Sequence, residues 1–216
     1  MKNTVLIKDE VVDLSLDVSR NKTYRRSEAA VFYRTRDKWG EFSNMAAHFP
    51  VFVNGVHFKT AEALYQACRF PHLPEVQKEI VSDPSPKGAK MVAKRCRAKS
   101  RLDFDEIKVP LMWWVLRAKL ACNQLPFSTA LKNSGDLPIV EKTETDQFWG
   151  VTKSEDATTL TGKNVLGRLL ILLRQTVATK GVEVVVDVKP PVIDGLLLYG
   201  KPILTVNDAP GKRWFT

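Results

Sequence analysis

Two apolar runs, residues 110–116 and 169–173, constrain this chain more than any other feature. Each lies inside a longer stretch with helical spacing, 104–123 and 164–179. In the second, Leu166, Leu169, Leu170 and Leu173 recur at i, i+3, i+4 and i+7, the mark of a helix with one buried face. Such helices must be covered by other elements, so the spacing predicts a mainly helical core. Neither run approaches the roughly 18 consecutive apolar residues of a membrane span. No basic stretch leads into an apolar one at the N-terminus, so no secretory signal is read and no membrane partner is expected. The chain has 216 residues, 44% of them hydrophobic and 26% charged, which is enough material for one sizeable core. Its cysteines are Cys68, Cys96 and Cys122, an odd number with no CxxC. Neither a disulfide framework nor a zinc site is expected, and a cytoplasmic location fits. His48, His57 and His72 follow no ligand spacing, so no metal is expected.

Around the two helices the pattern divides the chain into three. Residues 1–30 read as an N-terminal extension, with a strand candidate at 11–18 and a polar loop at 21–26. Residues 31–180 read as the main domain. Within it, 31–33 is a short strand, and 51–58 is a hairpin turning at Asn54-Gly55, the strongest two-residue hairpin signal. Thr60 caps a helix over 61–70 that Pro71 ends. Further helices are expected at 74–81, 87–99, 104–123 (with a kink or a new start at Pro110), 127–133 and 164–179. Residues 139–141 read as a strand. Residues 181–216 are β-branched and read as a short β-rich appendage, with strands at 182–188, 196–199 and 202–206, that can pair with the N-terminal strand. The expected class is therefore mainly α, α+β overall, with a short β extension at the C-terminus.

Four clusters can carry chemistry. Gly40-Glu41-Phe42-Ser43-Asn44 is a polar loop between apolar segments, readable as a capped turn. Glu62, Tyr65, Gln66 and Arg69 share one helix face, which fits either a solvated surface or a polar pocket. Residues 87–101 hold Lys87, Lys90, Lys94, Arg95, Arg97, Lys99 and Arg101 with no acid. That is +7 in a chain whose 33 basic and 24 acidic residues leave it at +9, so the run is a phosphate-contact candidate. Finally, Asp146-Gln147-Phe148-Trp149-Gly150 offers a stacking platform for a nucleobase. Downstream, Gly162-Lys163-Asn164 opens a helix whose N–H groups and cation can meet an anion. It is not a Walker motif.

Taken together and in order, these segments resemble the NADAR, or YbiA-like, family over residues 31–178. The motifs are Phe32-Tyr33, Gly40 to Asn44, Thr60 to Ala67, Leu116-Arg117-Ala118-Lys119, Asp146-x-x-Trp149-Gly150 and Gly162-Lys163-Asn164-x-x-Gly167. The resemblance implies a compact helical fold and N-glycosidase chemistry at a ribose C1′–N bond. Some members act on phosphorylated riboflavin-pathway intermediates. Others are antitoxins that strip ADP-ribose from guanine in DNA, each paired with an ADP-ribosyltransferase toxin. Carried over residue by residue, the catalytic candidates are Glu62, Asp146 and Lys163. The substrate-binding candidates are Ser43, Asn44, Tyr65, Gln66, Phe104, Trp149, Gly150 and Asn164. Many relatives carry a tryptophan where this chain has Phe104, which points to a different base.

Breaking C1′–N builds positive charge on the ribose, and a nearby carboxylate can stabilise it and orient water. Glu62 is assigned that role. Asp146 is its partner or the holder of the ribose hydroxyls, and Trp149 walls the base. Lys163 either contacts a phosphate or attacks C1′ of the ring-opened sugar, and Lys119 is a second lysine candidate. Lys87, Lys90, Lys94, Arg95 and Arg97 are expected to bind nucleic acid. The expected substrate is ADP-ribosylated DNA, with a cognate toxin as possible partner and no cofactor. The alternatives are a metabolic N-glycosidase and a non-catalytic ADP-ribose or nucleic-acid binding module. The two carboxylates speak against the last.

Overall fold

The computed structural model describes residues 19–155, 157–182 and 187–207. They form a mixed α+β fold of six helices and nine short strands, in two units. The unit built from 44–128 and 182–207 begins with the hairpin β3 (Val51–Val53) and β4 (Val56–Phe58). Its turn residues Asn54 and Gly55 both have positive φ, 52° and 75°, as a type I′ turn requires. Next comes α1 (Ala61–Ala67), whose Ala63 N–H donates to the Thr60 hydroxyl at 3.1 Å. Asp83 then turns the chain so that Ser85 caps α3 (Pro86–Arg95), after α2 (Pro74–Ser82). The helical reading of 87–99 breaks at Cys96, and Arg97–Lys99 is a separate 3-10 turn. The long helix α4 (Phe104–Cys122) runs unbroken through Pro110, so no new start occurs there. Missing one N–H donor, it is carried through by the packing of Leu111 to Leu116, all buried. Helix α1 packs against α2, α3 and α4. The last described segment forms a small hairpin of β8 (Leu197–Leu198) and β9 (Lys201–Pro202), and Val188 bridges Val206.

The other unit holds residues 19–43 and 129–181. Strand β2 (Ala30–Phe32) pairs in parallel with β5 (Ile139–Glu141), Val31 opposite Val140. Residues 22–25, read as loop, are instead strand β1 (Lys22–Arg25). It pairs antiparallel with β7 (Thr159–Gly162), which in turn pairs with β6 (Thr152–Lys153). One exposed face on each of these strands hid them from a search for apolar runs. Val140, Val151 and Leu160 form their buried centre. Helix α6 (Val165–Lys180) buries Leu166, Leu169, Leu170 and Leu173 and packs against β5. Helix α5 (Gln124–Asn133), whose residues fall in both units, starts earlier than its apolar pattern suggests. The strand expected at 11–18 lies outside the described residues, as do 183–186 of the strand expected at 182–188. Among the described residues no helix is long and apolar enough to cross a membrane.

Candidate functional site

In the unit of 44–128 the part of the polar face of α1 that carries Glu62, Tyr65 and Gln66 is buried, which sets aside the solvated-surface reading. Glu62, Tyr65 and Gln66 are 8%, 4% and 7% exposed. The Gln66 Nε2 donates to Glu62 Oε1 at 2.9 Å, the i,i+4 contact that the spacing allows. A carboxylate only accepts, so this bond fixes the amide orientation and leaves Gln66 Oε1 as the outward group. That oxygen is buried and has no donor among the described residues. The same holds for Asn44 Oδ1, whose Nδ2 donates to the Met112 thioether at 3.0 Å. Asn44 is tied to the site by its backbone too, since the Glu62 N–H donates to its carbonyl at 2.9 Å. An unpaired buried acceptor costs about 1–3 kcal/mol, so these two oxygens are candidate acceptors for a group that brings donors.

The aromatic part of this cluster is Phe104. The Arg69 guanidinium lies 4.2 Å from its ring centroid, and the Tyr65 ring is 5.7 Å away. Arg69 Nε donates to Ser100 Oγ at 2.6 Å, and partial burial lowers the basicity of this guanidinium. The basic run meets the carboxylate directly: Lys90 Nζ is 3.9 Å from Glu62 Oε1. Sequence spacing could not show this contact, because α1 and α3 are joined only by tertiary packing. Nor could it show that Glu79 of α2 pairs with Arg95, supplying the acid missing from the run. Lys87, Lys94 and Arg97 are exposed and make no ion pair among the described residues. Lys119 is fully buried, with Nζ 4.4 Å from the Phe127 ring centroid and 5.0 Å from that of Phe49.

The unit of 19–43 and 129–181 holds the remaining motif residues. Ser43 is buried, and its N–H closes a turn on the Gly40 carbonyl at 3.1 Å. Asp146 is exposed, and its Oδ1 accepts from the N–H groups of Phe148 and Trp149, both at 2.9 Å. The carboxylate thereby shapes the loop carrying Trp149, whose ring meets Phe148 edge-on at 5.0 Å. Gly150 admits no side chain: a Cβ would fall 2.5 Å from the Glu141 carbonyl. Lys163 Nζ lies 5.8 Å from the Phe148 ring centroid and makes no ion pair among the described residues.

The anion site expected at the start of α6 is corrected here. The N–H groups of Lys163, Asn164, Val165 and Leu166 donate to the carbonyls of Gln147, Gly150, Phe148 and Trp149. Those donors are spent on the loop, so they offer no cradle to a phosphate. Asn164 is likewise committed. It is fully buried, Nδ2 donates to the Ile139 carbonyl at 2.9 Å, and Oδ1 accepts from the Glu141 N–H at 3.1 Å. What the structure shows of it is a joint between α6 and β5 rather than a substrate contact. Among the described residues no group of three His, Cys, Asp or Glu gathers as a metal site.

A family model for the NADAR domain matches residues 31–178. Proteins named N-glycosidase YbiA from Shigella boydii serotype 4 (strain Sb227) and Escherichia coli (strain K12) are 33% identical over 147 residues, 68% of this chain and 87% of theirs. The Zea mays protein named riboflavin biosynthesis protein PYRR, chloroplastic, is 31% identical over 160 residues, 68% of this chain and 25% of its own. The NMR structure of the E. coli protein YbiA matches with a TM-score of 0.58 at 31% identity, covering 74% of this chain and 94% of that one. A family match over most of the chain, relatives at this identity and a shared fold together establish that the chain belongs to the NADAR family.

Proposed function

We propose that this protein is an N-glycosidase that removes ADP-ribose from guanine bases in DNA, as an antitoxin or repair enzyme opposing an ADP-ribosyltransferase. The observation that carries the reading is the buried Glu62 carboxylate, with two donor-less amide oxygens in its cluster and a lysine of the basic helix beside it. In the reaction the C1′–N electrons leave with the base nitrogen, which takes up a proton. Glu62 stabilises the positive charge left on the ribose and orients a water. The water oxygen bonds to C1′ and one of its protons passes to the Glu62 carboxylate, which then gives it up to solvent; solvent supplies the proton taken by the base, so the carboxylate is restored. Asn44 Oδ1 and Gln66 Oε1 accept the ribose hydroxyls, the donors that such oxygens lack. Phe104, held by Arg69 and Tyr65, offers an aromatic face to the base. Tyr65, like Ser43, is retained as a substrate contact by resemblance. Lys87, Lys94 and Arg97 contact DNA phosphates, while Lys90 and Arg95, set against Glu62 and Glu79, are the weaker members of the expected set.

Asp146 is retained, by resemblance, as the partner of Glu62 or the holder of the ribose hydroxyls, Trp149 as a wall for the base, and Lys163 as a phosphate contact or the group that attacks C1′. Borohydride trapping on the wild type and on Lys163→Arg distinguishes those two lysine roles.

A second reading is supported by the riboflavin-pathway names of the Zea mays relative and of a Vibrio vulnificus protein 27% identical over 146 residues. There the substrate is a phosphorylated aminopyrimidine riboside. The test offers the purified protein both substrates in parallel, with Glu62→Gln as control, and reads released sugar by mass spectrometry. Release of ADP-ribose from the DNA adduct alone supports the first reading. Release from the small molecule alone assigns the second. Turnover of neither overturns both.

A further inference from the structure

The segment 187–207 lies beyond residue 178, where the family match ends, yet three side chains of the 44–128 body hold its backbone. Gln77 is fully buried on α2. Its Nε2 donates to the Leu197 carbonyl at 2.9 Å, and its Oε1 accepts from the Tyr199 N–H at 2.8 Å. The same Nε2 also donates to the carbonyl of Ala67, the last residue of α1, at 3.1 Å. Arg101 forms a second clamp. Its Nη2 donates to the Asp194 carbonyl at 2.7 Å, its guanidinium also pairs with the Asp103 carboxylate, its N–H donates to the Arg69 carbonyl, and its carbonyl accepts from the Phe104 N–H. Asn54 forms the third, donating to the Pro202 carbonyl and accepting from the Leu204 N–H, both at 2.9 Å. Along the segment, Leu196, Leu198, Ile203 and Val206 are buried.

We infer that this segment is a positioning strap for the Glu62 cluster, and that Gln77 is the positioning residue through which it acts. Helix α1 is only seven residues long, too short to hold its own last turn. Gln77 fixes the carbonyl end of that helix to the strap, and Arg101 fixes the turn between Arg69 and Phe104 to it. The two clamps bracket the residues whose geometry the chemistry uses: Glu62, Gln66, Arg69 and Phe104. None of the expected site residues lies in the strap. Its contribution is to the orientation of groups already present, so it acts on turnover rather than on binding. This inference rests on the N-glycosidase reading only for its catalytic consequence, and the structural part is testable without any substrate.

The experiment is hydrogen exchange on the full-length chain, read by mass spectrometry, for wild type, Gln77→Met and Leu198→Ala. Leu198→Ala loosens the strap and leaves every clamp side chain in place. Both variants are expected to raise exchange by about tenfold in 61–70 as well as in 196–199, with α4 unchanged. Release of 196–199 without any change in 61–70, in either variant, overturns the inference. Should Gln77→Met fail to fold, Leu198→Ala alone decides it. With a substrate that the wild type turns over, Gln77→Met is expected to lose about tenfold in kcat with KM held within about twofold. A loss confined to KM also overturns the positioning role. If the wild type turns over nothing, the function proposed above fails, and the exchange result stands by itself.

Discussion

Glu62 shows what one residue can and cannot reveal from its place in a sequence. Its spacing to Tyr65, Gln66 and Arg69 was legible, because helical geometry fixes which side chains share a face. Its burial was not, since covering that face takes α2, α3 and α4. The donor-less oxygens of Asn44 and Gln66 were likewise beyond reach, being defined by what fails to come near them. Replacing Glu62 by Gln removes the charge and keeps the shape, and the new amide can still accept from Gln66. Turnover is expected to fall about 10²–10⁴-fold with the melting temperature held within a degree or two. Retained activity in that variant would end the mechanism. A second residue-scale outcome concerns Cys68, whose thiol is pushed up to about 12 by burial from an ordinary 9.0. The unfolded chain releases this proton near pH 9 while the folded chain keeps it. Stability is therefore full below that pH and declines as pH rises toward the folded value. Urea midpoints at pH 8, 9 and 10 should fall more steeply for the wild type than for Cys68→Ala. Parallel slopes would mean that the thiolate is tolerated in the fold.

Among the elements, the long and apolar ones were legible and the short and polar ones were not. Helices α4 and α6 announce themselves by dense leucine and tryptophan, and the β3–β4 hairpin by Asn54-Gly55. Strands β1 and β7 are built of Lys, Thr and Arg around single inward residues, and only pairing reveals them. The same limit explains the anion site misread at the start of α6. A sequence shows that a helix begins, but not that the carbonyls of 147–150 already occupy its first N–H groups. Asn164 follows from this. It holds a left-handed φ of 50° and ties two backbone groups of β5. Asn164→Ala removes both of these hydrogen bonds from the buried joint and is expected to cost about 2–4 kcal/mol in urea unfolding. Unchanged stability with lost activity would return this residue to the substrate.

At the scale of the whole molecule, the excess charge and its concentration in 87–101 were legible and its pairing was not. Pairing removes Arg95 and Arg101 from the run through Glu79 and Asp103, and Lys90 leans on Glu62. Lys87, Lys94, Arg97 and Lys99 remain exposed with no ion pair among the described residues, and the first three are the ones expected to meet a polyanion. Changing these three to Gln should lower the slope of log affinity for duplex DNA against log salt by about 0.9 for every phosphate no longer neutralised. Titration of a DNA oligonucleotide at several salt concentrations measures it. An unaltered slope would make the run a solvated face and favour the small-molecule reading. The order of motifs made the family legible, whereas nothing in the family could speak for 187–207, whose attachment depends on Gln77, Asn54 and Arg101. The burial of Lys119 also makes the protein its own clock. Its amine is sealed beneath Phe49 and Phe127. Reagents that methylate surface amines within minutes can mark it only when the body around it opens. The rate at which Lys119 acquires a label therefore counts those openings, in solution and without denaturant.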